Sequence, residues 1–132
     1  MQIPMLPWLT ATAGGFIVGG IWYAPFLFGP VWSRLNPMEP THRTLEGLPR
    51  QLVALAMNAL QALVLILLLN ATGSWQPAHA LGLAFLLWAG FTAAPSLAEA
   101  IFSRRHLGAW LVDSLHRLIV VEVMALLLVF LR

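Results

Sequence analysis

The stretch WLVDSLHRLIVVEVM carries four ionisable side chains, Asp113, His116, Arg117 and Glu122, in otherwise apolar sequence. Histidine suits acid–base work because its unperturbed pKa of about 6.5 lets small changes of environment alter its charge. Asp113 would orient it, and Arg117 would hold an anionic group. On a helix, Asp113, His116 and Arg117 fall within an arc of about 100°, and Glu122 points roughly opposite Asp113. The first three therefore form one polar face. That face admits three readings: a structural network in which Arg117 pairs with Asp113 at i, i+4 and Glu99 closes the set, a ligand-binding or proton-handling site, or an interface with another protein. Glu122 reads either as a proton-coupled carboxyl or as a neutral acid hydrogen-bonded to a neighbouring helix or subunit. His42, His79 and His106 lie in loops or at helix ends without metal-ligand spacing, and cysteine is absent. Neither a metal site nor haem ligation is expected, and no cofactor is implied. Phosphate-binding glycine loops, serine nucleophile elbows and paired hydrolase carboxylates are also missing.

These side chains need a scaffold, and composition dictates its kind. Of 132 residues, 60% are hydrophobic and 9% charged, with a mean hydropathy of +0.83, where a soluble domain carries about 25% charged residues. Lipid must be the solvent. A span takes roughly 20 apolar residues, so the chain holds one domain, 1–132, of four transmembrane helices at about 8–28, 52–71, 78–102 and 107–131. The fold class is an all-α integral membrane bundle. The first run lacks a preceding positive segment and reads as a retained span. Residues 31–50, with Arg34, Glu39, Arg43, Glu46 and Arg50, form an interfacial loop, and Pro95 predicts a kink near Thr92 to Pro95. All seven basic residues are arginine and scattered, which argues against a nucleic-acid surface despite the high pI.

Counted inward from the loops after spans one and three at about 1.5 Å per residue, the polar groups collect in one layer. Asp113 lies about 9 Å deep, His116 and Arg117 about 14 Å, Asn58 and Gln61 about 9 to 14 Å, Ser96 and Glu99 about 6 to 10 Å, and Trp22 and Tyr23 about 8 Å. Intramembrane ionisable groups face the bundle interior and mark functional sites. The candidate ligand residues are therefore Asn58, Gln61, Glu99, Asp113, His116 and Arg117, with His116, Asp113 and Tyr23 as catalytic candidates. Ala11, Gly15 and Gly19 form a small-residue ridge for close helix packing, within this chain or against a second copy. Trp8, Trp32, Trp75 and Trp110 fall near span ends, as aromatic belts do. Arg34, Arg43, Arg50, Arg104 and Arg105 outweigh Arg132, so loops one and three should be cytoplasmic and both termini outside.

The helix-one exit GGIWYAPFLFGPVW and the stretch LLWAGFTAAPSLAEAIFSRRHLGAWLVDSLHRL together resemble a bacterial family of small four-helix membrane proteins of unknown function, DUF1761. Trp22-Tyr23, Pro25, Phe28-Gly29 and Trp32 carry the more specific part of the resemblance, which extends over nearly the whole chain. It implies the membrane fold and no particular activity. It also implies an aromatic where this sequence has His116-Arg117. The resulting expectation is a polytopic bacterial inner-membrane protein that binds or moves a small or lipophilic ligand at its polar layer. The alternatives are a membrane-embedded enzyme using His116 and Asp113 as an acid–base pair, and an accessory subunit of a larger membrane complex. Membrane lipid is the expected partner, with a homo-oligomer or larger complex allowed.

Overall fold

The computed structural model describes residues 3–24, 27, 30–31, 34 and 48–132. Four helices make up the described bundle: α1 Met5–Trp22, α2 Leu48–Thr72, α3 Pro77–Phe102 and α4 Leu107–Leu131. Each is long and apolar enough to cross a membrane. Residues 35–47 of the interfacial loop, with Glu39, His42, Arg43 and Glu46, lie outside the described residues, as do Pro25, Phe28, Gly29 and Trp32.

The first span is shorter at its exit than the hydropathy run implies. α1 starts at Met5, three residues before the apolar run, and ends at Trp22, where the Tyr23 N–H caps the Gly19 and Ile21 carbonyls. Pro25 supplies the reason, since a proline disfavours helical geometry in the residue before it. Pro7 is tolerated in the first turn because its missing N–H would have no partner there. α2 begins at Leu48, four residues before its apolar run, on the same principle with Pro49 in its first turn. α4 has the expected bounds, and the His106 ring Nδ1 accepts the Gly108 N–H at 2.9 Å to cap its start.

α3 widens to a π-type turn at Ala89–Ala93. Pro95 offers no N–H to the preceding turn, and a widened turn re-partners the carbonyls this leaves. Ser96 assists by donating its hydroxyl to the Thr92 carbonyl at 2.5 Å. Two left-handed residues end helices. Gly73 (φ 67°) closes α2, with the Ser74 N–H on the Leu69 carbonyl. Arg104 (φ 56°) closes α3, with the Arg105 N–H on the Ala100 carbonyl. Both have the 6→1 bond of a Schellman motif, usually built on glycine.

α4 packs against α1, α3 and α2, and α1 also packs against α2. α4 is the most enclosed of the four spans and α3 the least. Alanine supplies nearly half of the buried apolar residues. Lipid tails are as apolar as leucine, so close backbone approach and hydrogen bonds hold such helices together, not hydrophobic burial. Large side chains such as Leu6, Ile17, Leu86, Phe91 and Phe102 face outward. Indole N–H groups supply many of the cross-links. Trp8 donates to the Ala59 carbonyl (2.9 Å), Trp22 to Val112 (3.1 Å), Trp88 to Ser114 (2.8 Å), and Trp110 to the Ser96 hydroxyl (2.9 Å). Trp8 and Trp110, expected near the span ends as interfacial belt residues, also tie helix to helix, because a buried indole N–H needs an acceptor. Trp75 bonds Asn70 across the α2–α3 turn and lies under the Arg132 guanidinium.

Candidate functional site

Asp113 lies on the second turn of α4 and is mostly buried, and both of its carboxylate oxygens are engaged. Tyr23, just past the end of α1, donates its hydroxyl to Oδ1 at 2.5 Å. Arg105 reaches from the α3–α4 turn to form an ion pair with Oδ2. The left-handed Arg104 makes this possible by reversing the chain in a single step, so that Arg105 comes back over the first turns of α4. The arrangement replaces the expected Asp113–Arg117 pair. Arg105 approaches from the turn with its charge, whereas Arg117 projects from α4 toward a different gap. The spacing of i and i+4 within one helix cannot anticipate a competitor from outside the helix. The adjacent arginines 104 and 105 read in sequence only as a topological signal, and nothing in them marks Arg105 as a site residue.

His116 lies one turn further along α4. Its ring meets Tyr23 edge-on, with centroids 5.0 Å apart and planes at 66°, and it lies 6.3 Å from the Trp22 ring. Asp113 is occupied by Tyr23 and Arg105, and no hydrogen bond joins it to His116 among the described residues. The Nε2 atom of His116 is buried and has no hydrogen-bond partner there. It points at Gly19, where a Cβ would lie 3.3 Å from it. The ring lines a cleft of about 440 Å³ between α1 and α2, whose other walls include Gly15, Gly19, Tyr23, Arg50 and Asn58. Glycine lets α4 come close to α1 beside this cleft, because a Cβ at Gly15 would meet Met124 and Val120 and one at Gly19 would meet His116. Asn58 is anchored through its side-chain N–H to the Ala54 carbonyl at 2.9 Å, and its Oδ1 faces Gly15.

Arg117 and Gln61 are not part of that cleft. Both line a second opening of about 260 Å³ between α2 and α3, with Val64, Leu68, Leu87, Trp88, Phe91, Thr92 and Val121. Glu99 is exposed on α3 and forms no ion pair among the described residues; only its backbone carbonyl is engaged, by Ser103. The single polar layer expected from depth therefore resolves into three groups: the Tyr23–Asp113–Arg105 cluster, the His116 cleft with Asn58, and the Arg117 cleft with Gln61. Depth along a helix is readable from residue number, but the partition between clefts depends on helix packing. Ala11, Gly15 and Gly19 face α4, with Ala11 fully buried and Gly15 against Met124, Val120 and Asn58. One carboxyl oxygen of Glu122 and the Ser114 hydroxyl are buried without a hydrogen-bond partner among the described residues. No group of three metal-ligating side chains occurs among the described residues.

Fold and site together define a small four-span membrane bundle with a polar last helix flanked by two clefts. The chain belongs to DUF1761, a family of proteins of unknown function, which matches residues 6–129 and so includes all four helices. No curated protein and no solved structure matches it.

Proposed function

We propose that this protein binds a small lipophilic or amphipathic molecule within the bacterial inner membrane, in the α1–α2 cleft. One observation carries the reading: His116, whose buried Nε2 has no hydrogen-bond partner among the described residues, lines a 440 Å³ cleft. A buried polar atom without a partner costs about 1–3 kcal/mol, and a ligand that hydrogen-bonds it recovers much of that cost. The surroundings fit an occupant with one polar end, because glycines and Phe16 line the cleft beside His116 and Asn58. Ligand sites commonly combine apolar walls with a few placed polar groups. The excess of arginine beside loops one and three supports a cytoplasmic position for those loops, which puts His116 in the cytoplasmic half of the bundle.

Native mass spectrometry of protein released gently from its own membranes tests this. The wild type should retain a small-molecule adduct whose occupancy falls at least tenfold in His116→Phe, which fills the space and removes the nitrogen, with the melting temperature preserved. A wild type free of adduct, or an adduct unchanged by His116→Phe, overturns the reading. Recovery of the chain only in fixed stoichiometry with another protein overturns it in favour of an accessory subunit.

A further inference from the structure

The second cleft, between α2 and α3, gathers three polar side chains at mid-span. Gln61, Thr92 and Arg117 line it together, and each stands within three residues of the midpoint of its own helix. Lipid headgroups do not reach that level. Arg117 is exposed and forms no ion pair among the described residues. Asp113 is taken by Arg105 and Tyr23, and Glu122 projects about 140° away around α4. An arginine in the middle of a span is costly without a counter-charge.

Its two companions are uncommitted as well. The hydroxyls of Thr10, Thr12 and Thr72 each donate to the carbonyl four residues back. That of Thr92, which stands in the π-type turn, forms no hydrogen bond among the described residues. Asn58 is likewise bonded to its own helix, whereas the Gln61 amide has no hydrogen bond among the described residues. Widened turns of this kind are frequent at functional sites. Beyond the polar trio, toward the face opposite the arginine-bearing turn, the walls are Val64, Leu68, Leu87 and Val121. The opening is about 260 Å³, smaller than the roughly 300–1,000 Å³ of pockets for drug-sized ligands, so its occupant is small.

We infer that the α2–α3 cleft binds a small apolar carboxylate. The carboxylate lies on Arg117 at mid-span, and the hydrocarbon part points away from the arginine-bearing turn, along Val64, Leu68, Leu87 and Val121. Guanidinium and carboxylate pair through two parallel hydrogen bonds, and Gln61 and Thr92 supply further donors. A weak acid reaches this level because its neutral form enters lipid, where a permanently charged group is excluded. The site is independent of His116 and its cleft.

Equilibrium dialysis of radiolabelled octanoate against phosphatidylcholine nanodiscs, with and without the protein, tests this. The wild type should bind octanoate saturably above the empty discs. Arg117→Gln should weaken binding at least tenfold without lowering the melting temperature, since it removes an unpaired charge. Leu68→Trp, which fills the apolar part and keeps the charge, should weaken it as well. His116→Phe should leave it unchanged, which separates this site from the α1–α2 cleft. Uptake no greater than that of empty discs, or saturable binding that survives in Arg117→Gln, overturns the inference. So does displacement of octanoate by an equal concentration of acetate, which would make the occupant a bare anion with no use for the aliphatic wall.

Discussion

Asp113 is the residue on which the α1–α4 contact depends most at this end of the bundle, because it holds a hydroxyl from beyond α1 and a guanidinium from the α3–α4 turn. Hydrogen bonds to a charged acceptor contribute about 1.5–3 kcal/mol each, so Tyr23→Phe should lower stability by about that amount and reduce the melting temperature in detergent. Arg105→Gln should do the same through the loss of the ion pair. Arg104 behaves differently. Its left-handed backbone (φ 56°) costs an L-residue about 1–2 kcal/mol, and its side chain is exposed, so Arg104→Gly should raise the melting temperature or leave it unchanged. A drop with Arg104→Gly comparable to that with Arg105→Gln would show that the first arginine of the pair has a structural role that this geometry does not give it.

Among the elements, α1 offers the sharpest contrast, since two of its glycines have opposite surroundings. A Cβ at Gly15 would press on Met124 and come within 2.6 Å of the Asn58 side chain, while one at Gly20 would meet nothing. Gly15→Leu should therefore cost about 1–3 kcal/mol or more through overpacking. Gly20→Ala should be neutral or gain up to about 1 kcal/mol from helix propensity. Urea or thermal unfolding in detergent reads both, and equal effects at the two positions would contradict the α1–α4 packing. The existence of four spans is legible in the sequence, because a long apolar run has little alternative to a membrane helix. Helix ends are less so. α1 stops well short of its apolar run because backbone geometry before Pro25, not hydropathy, decides where it ends. The hydrogen bonds of the tryptophans are not legible for a related reason: an indole near a span end suits a lipid interface, and only the packed neighbours show that Trp8 and Trp110 donate inward.

For the whole molecule, the arrangement is asymmetric. Arg105, Asp113, His116 and Arg117 gather toward one end, and the opposite half holds the buried aliphatic core of Leu65, Ile66, Leu69, Met124 and Leu128. The absence of cysteine makes orientation directly measurable. Ser103→Cys should react with a membrane-impermeant maleimide only after the cytoplasmic face is opened, and Ser74→Cys should react in intact cells or spheroplasts. The reverse pattern would invert the topology inferred from arginine counts. Much of the candidate site can be found from sequence, since Asp113, His116, Arg117, Asn58 and Gln61 stand out as polar groups in apolar runs. Their division between two clefts cannot, because it depends on how α2 is seated against α1 on one side and faces α3 on the other.

The π-type turn at Ala89–Ala93 sets a counting constraint on α3. Trp88, just before it, anchors to the Ser114 carbonyl, and Ser96, just after it, receives Trp110, so α3 is fastened to α4 on both sides of the widened segment. One surplus residue in an otherwise regular helix rotates every later position by about 100°. The two fastenings are thus satisfied together at one chain length, and the wide turn acts as the vernier between them. A chain one residue shorter there would keep its hydropathy, its span length and its proline, yet would satisfy only one of the two.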